Sequence, residues 1–291
     1  MQFLASMPAC CPTAHSATTD CSYQVAWSIN PHMIVGSVDR TRALEQHATF
    51  MRVVRRVGGH VITVPFVHGA FDSVFAKDNA LYITRRAQTH AMLARPRFSE
   101  RQMEQAARTR DLTHTGITVE PYSADFEGGD VLVLPGRCAF LGYGFRSSRN
   151  AALVVERFLG LPVIPLELVD PALYHLDTAL ALLADGTALV CDEAFSPVAR
   201  RGLREVCNVI PVSRDEALRF ALNVIEIGDA VVTGTDSAEV NEILESLGKR
   251  TVYTPLDEFH RAGGSAACLL AVLDHATVAT AATTAMRSTA A

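Results

Sequence analysis

The sequence has 291 residues, of which 49% are hydrophobic and 20% charged, and its formal net charge is -5 at pH 7. These values are ordinary for a globular protein, and a chain of this length can bury a sizeable core. We expect neither a nucleic-acid partner nor a membrane span, because the sequence has no basic stripe with interleaved aromatics and no apolar run of bilayer length.

The predicted elements alternate between helix and strand along most of the chain. Five helical stretches are each followed by a β-rich apolar run, which is typical of an α/β protein. The helices are predicted at Arg40–Val57, Glu100–Arg110, Arg149–Leu159, Ser196–Val206 and Ser237–Leu247, and the strands that follow them at HVITVPF, ITVEPY, LPVIPLEL, CNVIPV and RTVYTPL.

A marker residue recurs between these units. The markers are separated by 52, 47, 46 and 45 residues, and they are Asp78, Asp130, Asp177, Asn223 and Cys268. A period in this range indicates stacked units that share one core. We therefore predict five units closing in a ring, which would bring the markers towards a common centre although they are distant in sequence.

The rest of the chain adds little chemistry. We predict a single domain over residues 1–275 and a low-complexity tail over residues 276–291, which are rich in Ala and Thr. The seven cysteines are odd in number and include no C-x-x-C pair, so neither a disulfide framework nor a zinc ribbon is indicated. Because the first residues lack the features of a secretory signal, a cytoplasmic protein is expected.

The sequence contains the groups that guanidinium chemistry needs. A planar cation requires carboxylates on its N–H edges, a strong nucleophile at its carbon, and an acid that protonates the departing amine. Asp78, Glu127 and Asp177 can supply the carboxylates, His175 the acid and base, and Cys268 the nucleophile. We therefore predict an enzyme that attacks an arginine-like substrate through the thiolate of Cys268.

Each of these residues has an alternative structural interpretation. An isolated Cys or His in an apolar stretch is more often a buried core residue, and a carboxylate beside two glycines often builds a turn. In a strand, however, His175 and Asp177 would face the same way, which suits a shared site. The glycines themselves could serve only a positive φ or a close approach.

Three ordered segments resemble signatures of the pentein superfamily of guanidino-group-modifying enzymes: FEGGD (126–130), YHLD (174–177) and GGSAAC (263–268). Two further segments, DSVFAKD (72–78) and GYGFRSSRNAA (142–152), resemble the dimethylarginine dimethylaminohydrolase branch. The resemblance covers roughly residues 29–273, nearly the whole chain. It implies a five-bladed α/β propeller of pseudo-fivefold ββαβ repeats, in agreement with the five units predicted above.

The resemblance also implies roles for individual residues. Cys268 would be the nucleophile, His175 the general acid and base, and Glu127 a residue that orients His175 or touches the guanidinium. Asp78 and Asp177 would bind guanidinium nitrogens. The remaining substrate-binding candidates are Asp72, Arg146 for the α-carboxylate, and a second arginine in RPRFSER, where we favour Arg97 with Arg101 as the alternative.

The chain departs from the branch at three points: Lys77 stands where an acid is usual, no histidine lies beside Cys268, and the N-terminal segment at residues 8–33 differs from the family's usual form. We predict a dimethylarginine dimethylaminohydrolase-like hydrolase that gives citrulline and an amine through a thiouronium intermediate. An amidinotransferase, an arginine deiminase or dihydrolase, and a non-catalytic binder on the same scaffold remain alternatives. We expect a small guanidino substrate, no cofactor and no metal, with a homodimer left open.

Overall fold

The computed structural model describes residues 1–10 and 21–275. Its strands are β1 (Gln2–Ser6), β2 (His60–Val64), β3 (Ala80–Arg85), β4 (Gln88–Ala94), β5 (Thr118–Ala124), β6 (Val131–Leu134), β7 (Cys138–Tyr143), β8 (Val163–Glu167), β9 (Leu180–Leu182), β10 (Thr187–Val190), β11 (Asn208–Pro211), β12 (Ile225–Ile227), β13 (Ala230–Thr233), β14 (Arg250–Tyr253) and β15 (Leu270–Val272). Its α-helices are α1 (Arg40–Arg56), α2 (Ser99–Gln102), α3 (Glu104–His114), α4 (Ala151–Leu159), α5 (Leu176–Ala179), α6 (Pro197–Val206), α7 (Arg214–Leu218), α8 (Ala238–Ser246), α9 (Asp257–His260) and α10 (Ala266–Leu269).

These strands form five three-stranded sheets with one shared topology. The orders are β3-β4-β5, β6-β7-β8, β11-β10-β9, β12-β13-β14 and β15-β1-β2. In each sheet the middle strand pairs antiparallel with one neighbour and parallel with the strand that follows the intervening helix. The fifth sheet combines the two ends of the described chain, because β1 pairs with both β15 and β2. The predicted α/β class and the five ββαβ units are therefore confirmed.

The predicted helices correspond to α1, α4, α6 and α8 within two residues at each end, whereas the one predicted over Glu100–Arg110 is divided between α2 and α3. Side chains that accept backbone N–H groups mark three of the starts. Asp39 caps α1, Ser196 caps α6 just before Pro197, and Ser237 caps α8. Such caps satisfy N–H groups that have no partner within the helix.

Every marker residue lies one to three positions before the first strand of a sheet. Asp78 precedes β3, Asp130 precedes β6, Asp177 precedes β9, Asn223 precedes β12 and Cys268 precedes β15. All five are buried. Because the five sheets share one topology, this common position brings side chains that are far apart in sequence to equivalent places in the fold.

The predicted tail at residues 276–291 lies outside the described residues, so its boundary at 275 stays a prediction. Along the part of the chain that the structure describes, no helix combines the length and the apolar character needed to cross a membrane.

Candidate active site

Cys268 lies on the one-turn helix α10 and is buried. Asn223 holds it on two sides: its Oδ1 accepts the backbone N–H of Cys268 at 3.2 Å, and its Nδ2 donates to Sγ at 3.2 Å. The same Nδ2 donates to the carbonyl of Asp177 at 3.0 Å. The marker Asn223 therefore fixes the position of Cys268 and connects it to Asp177.

His175 is held by a carboxylate that an arginine holds in turn. Its Nε2 donates to Oε2 of Glu127 at 2.9 Å, and Nη1 of Arg146 donates to the same oxygen at 3.0 Å. The other ring nitrogen, Nδ1, lies 3.8 Å from Oδ1 of Asp78. The imidazole thus stands between two carboxylates, with Nδ1 on the side of Asp78 and Nε2 committed to Glu127.

These neighbours decide the charge of His175. Burial alone would lower its pKa, but the charge of Asp78, the hydrogen bond to Glu127 and the charge of Asp130 together raise the pKa to about 9. For Glu127, burial acts to raise the pKa, yet Arg146 and His175 hold it well below its usual range. Near neutral pH the centre therefore contains an imidazolium and a carboxylate, so His175 has a proton to donate.

The thiol of Cys268 is in the opposite situation. Burial raises its pKa well above the ordinary value, and the charges of Asp177 and Asp78 raise it further. Sγ lies 3.9 and 3.8 Å from the two carboxylate oxygens of Asp177. The cation among the described residues that acts most strongly against this is Lys77, whose Nζ lies 2.7 Å from Oδ2 of Asp177. Without a bound cation the thiol is mostly protonated.

Both glycine pairs of the signature segments are needed because other groups approach them closely. A Cβ on Gly129 would lie 2.8 Å from both Oδ1 of Asp78 and Nδ1 of His175. A Cβ on Gly128 would lie 1.9 Å from the carbonyl oxygen of Lys77, and one on Gly264 would lie 2.5 Å from the ring of Phe75. The glycines therefore allow the acidic, basic and nucleophilic segments to meet.

Asp72 lines the cavity in front of Cys268, and its two carboxylate oxygens differ. Trp27 donates through Nε1 to Oδ2 of Asp72 at 2.8 Å, whereas the buried Oδ1 has no hydrogen-bond partner among the described residues. Burial raises the pKa of Asp72 to about 6, although Arg101 and the bond from Trp27 act to lower it. A buried acceptor that lines a cavity is suited to a cationic or N–H-bearing ligand.

Of the two alternative arginines, Arg101 lies on the wall of this cavity and Arg97 does not. Arg101 is buried, and it donates to Oδ2 of Asp78 at 2.6 Å and to Oε1 of Glu104 at 2.8 Å. Arg97 is exposed, and its guanidinium donates to the carbonyl of Phe145 at 2.6 Å. Our preference for Arg97 came from a segment in which spacing alone could not distinguish the two.

Arg146 forms part of the same wall as Arg101. Its guanidinium carbon lies 4.6 Å from the ring centroids of both Phe98 and Tyr174, and its Nη2 donates to the carbonyl of Ile29 at 2.9 Å. The structure thus brings together the predicted Cys268, His175, Glu127, Asp78, Asp177, Asp72 and Arg146. Three contributors were missed as site residues, namely Asn223, Trp27 and Lys77. Asn223 had a signal in its place among the recurring markers, and Lys77 had one in its departure from the branch pattern, whereas Trp27 had none.

One set of these groups has the donors to hold a metal ion. Ligand atoms of Asp78, Glu127 and His175 all lie within 4.8 Å of one another. Two arginines already neutralise the carboxylates, because Arg101 pairs with Asp78 and Arg146 pairs with Glu127. These fixed cations would repel a divalent ion, and the arrangement is better suited to proton transfer than to metal binding.

The described residues combine a buried thiol, an imidazole held by a carboxylate, and buried aspartates on a scaffold of five repeated sheets. This combination defines the class, which is a pentein-type scaffold of the guanidino-group-modifying superfamily. The family model described as eukaryotic N,N dimethylarginine dimethylhydrolase matches residues 19–274. The chain belongs to the dimethylarginine dimethylaminohydrolase family.

Individual relatives support this assignment. The chain is 32% identical over 256 residues to N(G),N(G)-dimethylarginine dimethylaminohydrolase of Mycobacterium tuberculosis, covering 87% of this chain and 83% of that protein. It is 31% identical over 269 residues to the bifunctional arginine dihydrolase/ornithine cyclodeaminase ArgZ of Synechocystis, covering 89% of this chain but only 36% of that protein. The crystal structure of the N-terminal domain of ArgZ, a cyanobacterial arginine dihydrolase bound to substrate, superposes with a TM-score of 0.85 at 28% identity, covering 96% of this chain and 99% of that one.

Proposed function

We propose that this protein hydrolyses the guanidino group of arginine or an N-methylated arginine, with Cys268 as the nucleophile. The observation that carries the proposal is the pairing of a buried thiol with a buried imidazolium in one cavity lined by aspartates. A thiol attacks a guanidinium carbon only as a thiolate, and a guanidinium nitrogen leaves only as a protonated amine. Both requirements are met when a cation enters.

The substrate itself would activate Cys268. Asp177 and Asp78 raise the pKa of the thiol, and a guanidinium bound to them cancels their charge and favours the thiolate. The positive charge that the carboxylates attract is thus the charge that prepares the nucleophile. This arrangement limits the thiolate, and with it unwanted oxidation, to the substrate-bound state.

We assign the other end of the substrate to Asp72, Arg101 and Arg146, which also line the cavity. The unpartnered Oδ1 of Asp72 is suited to an α-ammonium group, and Arg146 and Arg101 to an α-carboxylate. Arg97 lies outside this cavity, so we now favour Arg101 as the second arginine. A substrate with both groups is a free amino acid rather than an amine or a peptide side chain.

The reaction would proceed in two halves. Sγ of Cys268 bonds to the guanidinium carbon, and the bond from that carbon to one nitrogen breaks as imidazolium His175 gives a proton to the departing amine. The covalent product is an S-alkyl thiouronium. Neutral His175 then takes a proton from water, whose oxygen bonds to the same carbon, and the C–S bond breaks to release the thiolate and a ureido product, citrulline.

The family model favours dimethylamine as the leaving group. The second candidate is an arginine dihydrolase, favoured by the TM-score of 0.85 with the substrate-bound ArgZ domain. The two reactions share the covalent intermediate, and they differ in whether one or two nitrogens are displaced. We also propose that the five sheets form the blades of a propeller around this centre and that residues 1–275 are a single catalytic domain.

The test is product analysis with purified protein and a Cys268→Ser control. Dimethylarginine, monomethylarginine, arginine and agmatine are incubated separately, with and without an amine acceptor, and the products are identified by mass spectrometry. Citrulline and dimethylamine from dimethylarginine support the first candidate, whereas ornithine and ammonia from arginine support the second. Amidino transfer to the acceptor, or no turnover and no adduct on Cys268 with any compound, would contradict the proposal.

A further inference from the structure

Two cysteines and a histidine outside the candidate active site converge at one end of the fifth sheet. Sγ of Cys21 lies 3.0 Å from Nδ1 of His68. The thiol of Cys10 completes the group, since one ligand atom from each of the three residues lies within 4.8 Å of the others. The residues are 11 and 47 positions apart in sequence, so only the fold brings them together.

The backbone places all three ligands. β1 and β2 are parallel neighbours in which Ser6 is opposite Val64, and Cys10 and His68 each lie four residues beyond these partners. When two parallel strands end in register, the residues that follow them leave the sheet at the same end. Cys21 is added by a short antiparallel return: the N–H of Cys10 donates to the carbonyl of Cys21 at 2.8 Å.

The donor chemistry is that of a transition-metal site. Thiolate sulfur and imidazole nitrogen are the ligands that zinc prefers, at about 2.3 Å and 2.0–2.1 Å. In a tetrahedral shell these bond lengths separate neighbouring ligand atoms by roughly 3.3–3.8 Å. The distance of 3.0 Å from Cys21 to His68 and the limit of 4.8 Å for the group lie on either side of that value. Small side-chain rotations can therefore close the shell.

The group is also accessible, unlike the centre around Cys268. Cys10 and His68 are exposed and Cys21 is partly exposed, so an ion can reach the three ligands from solvent. The group itself contains no carboxylate, which disfavours magnesium and calcium. We propose that Cys10, Cys21 and His68 form a zinc site that fastens the segment beginning at Cys21 to the loop beginning at His68.

Both fastened segments continue into the candidate active site. Four residues after His68 lies Asp72, and six residues after Cys21 lies Trp27, which donates to Asp72 at 2.8 Å. Further along, the carbonyl of Ile29 accepts a hydrogen bond from Arg146 at 2.9 Å. A metal ion at the rim would therefore limit how far Trp27 and Asp72 can separate. It would stabilise the wall that carries the unpartnered oxygen of Asp72.

The experiment measures zinc binding by the full chain under reducing conditions, in a Cys268→Ser background that removes the thiol of the candidate active site. Zinc is titrated against a chromogenic competitor, and cobalt is used as a spectroscopic substitute. We expect one zinc ion per chain, a thiolate-to-cobalt charge-transfer band, and a thermal transition that rises with zinc. Cys21→Ser and His68→Gln should each weaken zinc binding by more than about tenfold, because each removes a ligand.

Matched substitutions elsewhere serve as controls. Cys207→Ser changes a buried cysteine at the end of α6, and His114→Gln changes an exposed histidine at the end of α3; both should bind zinc as the parent does. Zinc affinity that is unchanged by His68→Gln and Cys21→Ser would overturn the proposal. So would a disulfide between Cys10 and Cys21 that resists reduction, or binding with no thiolate band for cobalt. None of these outcomes bears on guanidino hydrolysis, which is measured separately.

Discussion

The two sides of the candidate active site differ in the charge of their titratable group: the imidazole of His175 is charged, whereas the thiol of Cys268 is neutral. On one side, Glu127 and Asp78 raise the pKa of His175 to about 9, so the imidazole is charged near neutral pH. On the other, burial and Asp177 raise the pKa of Cys268, so the thiol is neutral. Carboxylates lie near both groups and raise both pKa values. The raised pKa keeps the acid His175 protonated, and it also keeps the nucleophile Cys268 in its unreactive thiol form.

This difference follows from the charge type of each group. A carboxylate stabilises an imidazolium because the protonated form is the charged one, and it destabilises a thiolate because the deprotonated form is charged. A cation bound between the two sides would offset the carboxylate charges and lower the pKa of Cys268, which favours the thiolate. Lys77 supplies a permanent cation on the Cys268 side through its pair with Asp177, and a guanidinium would supply the second. The following changes separate these contributions.

Cys268→Ser should have the largest effect. A hydroxyl is a far weaker nucleophile than a thiolate, and we expect hydrolysis to fall by about 10³-fold or more. Intact-protein mass spectrometry of acid-quenched samples should show a substrate adduct on the parent protein and none on the variant. Because the change is almost isosteric, substrate binding measured by calorimetry should persist. Residual turnover close to that of the parent would place the nucleophile elsewhere.

Glu127→Gln tests the His175 side and should have the second largest effect. The amide still accepts a hydrogen bond but removes one of the charges that, after that of Asp78, keep His175 protonated, so the pKa of His175 should fall. General acid catalysis of this kind contributes about 10²–10⁴-fold, and we expect a loss near the lower figure.

The sign of its pH dependence is fixed by the raised pKa. In the parent, the proton on His175 is present below about pH 9 and is lost as the pH rises through that value. The alkaline limb of kcat/KM against pH, which reports the substrate-free enzyme, should therefore begin near pH 9 in the parent and at lower pH in Glu127→Gln. Profiles with the same alkaline limb would show that His175 is not the acid.

Much of the fold and of the position of the site residues was predictable from the sequence. Periodicity predicted the helices and strands, and the recurring markers predicted that Asp78, Asp177 and Cys268 would be equivalent in position. For the signature glycines the sequence left open a positive φ or a close approach, and the structure shows a close approach at Gly128, Gly129 and Gly264. These predictions succeed because a repeated unit forces local pattern and tertiary position to agree.

The remainder depends on contacts that no local pattern encodes. Whether Arg97 or Arg101 turns inward is decided by the break between α2 and α3 and by Glu104, which neutralises Arg101 from the next turn. The bond from Trp27 to Asp72 spans 45 residues, and the pair of Lys77 with Asp177 spans 100. Such pairs form because burial leaves each charge or donor no better partner, and this is visible only after folding.

Lys77→Met tests the Cys268 side and should have a smaller effect than the loss of Glu127. Asp177 would lose its partner, its charge would act on Sγ without compensation, and the pKa of Cys268 should rise. We expect alkylation of Cys268 by iodoacetamide in the substrate-free protein to slow about tenfold, equivalent to one pKa unit. The measurement is the alkylation rate against pH.

Two variants control for this change. Lys249→Met breaks the pair of Lys249 with Glu226 in another sheet and should leave the rate unchanged. Lys77→Arg keeps the cation and should restore most of the reactivity. If Lys77→Met reacts as the parent does while the protein remains folded, the thiol is governed by burial alone and not by its neighbouring charges.

The smallest expected effect distinguishes the two arginines at the far end of the substrate. Arg101→Lys keeps a charge next to Asp78 and Glu104 but loses the planar guanidinium, which donates four N–H groups to Glu104, Asp78 and Asp72 and has one left for a substrate carboxylate. We expect KM to rise about tenfold with little change in kcat, because this contact holds substrate and transition state alike. Arg97→Lys, at an exposed position outside the cavity, should change KM less than about twofold.

Replacing the substrate by its decarboxylated analogue should abolish the difference in KM between the parent and Arg101→Lys. A larger KM effect at Arg97 than at Arg101 would instead mean that the substrate enters the depression beside Phe145, with its α-carboxylate on the outer face of Arg146.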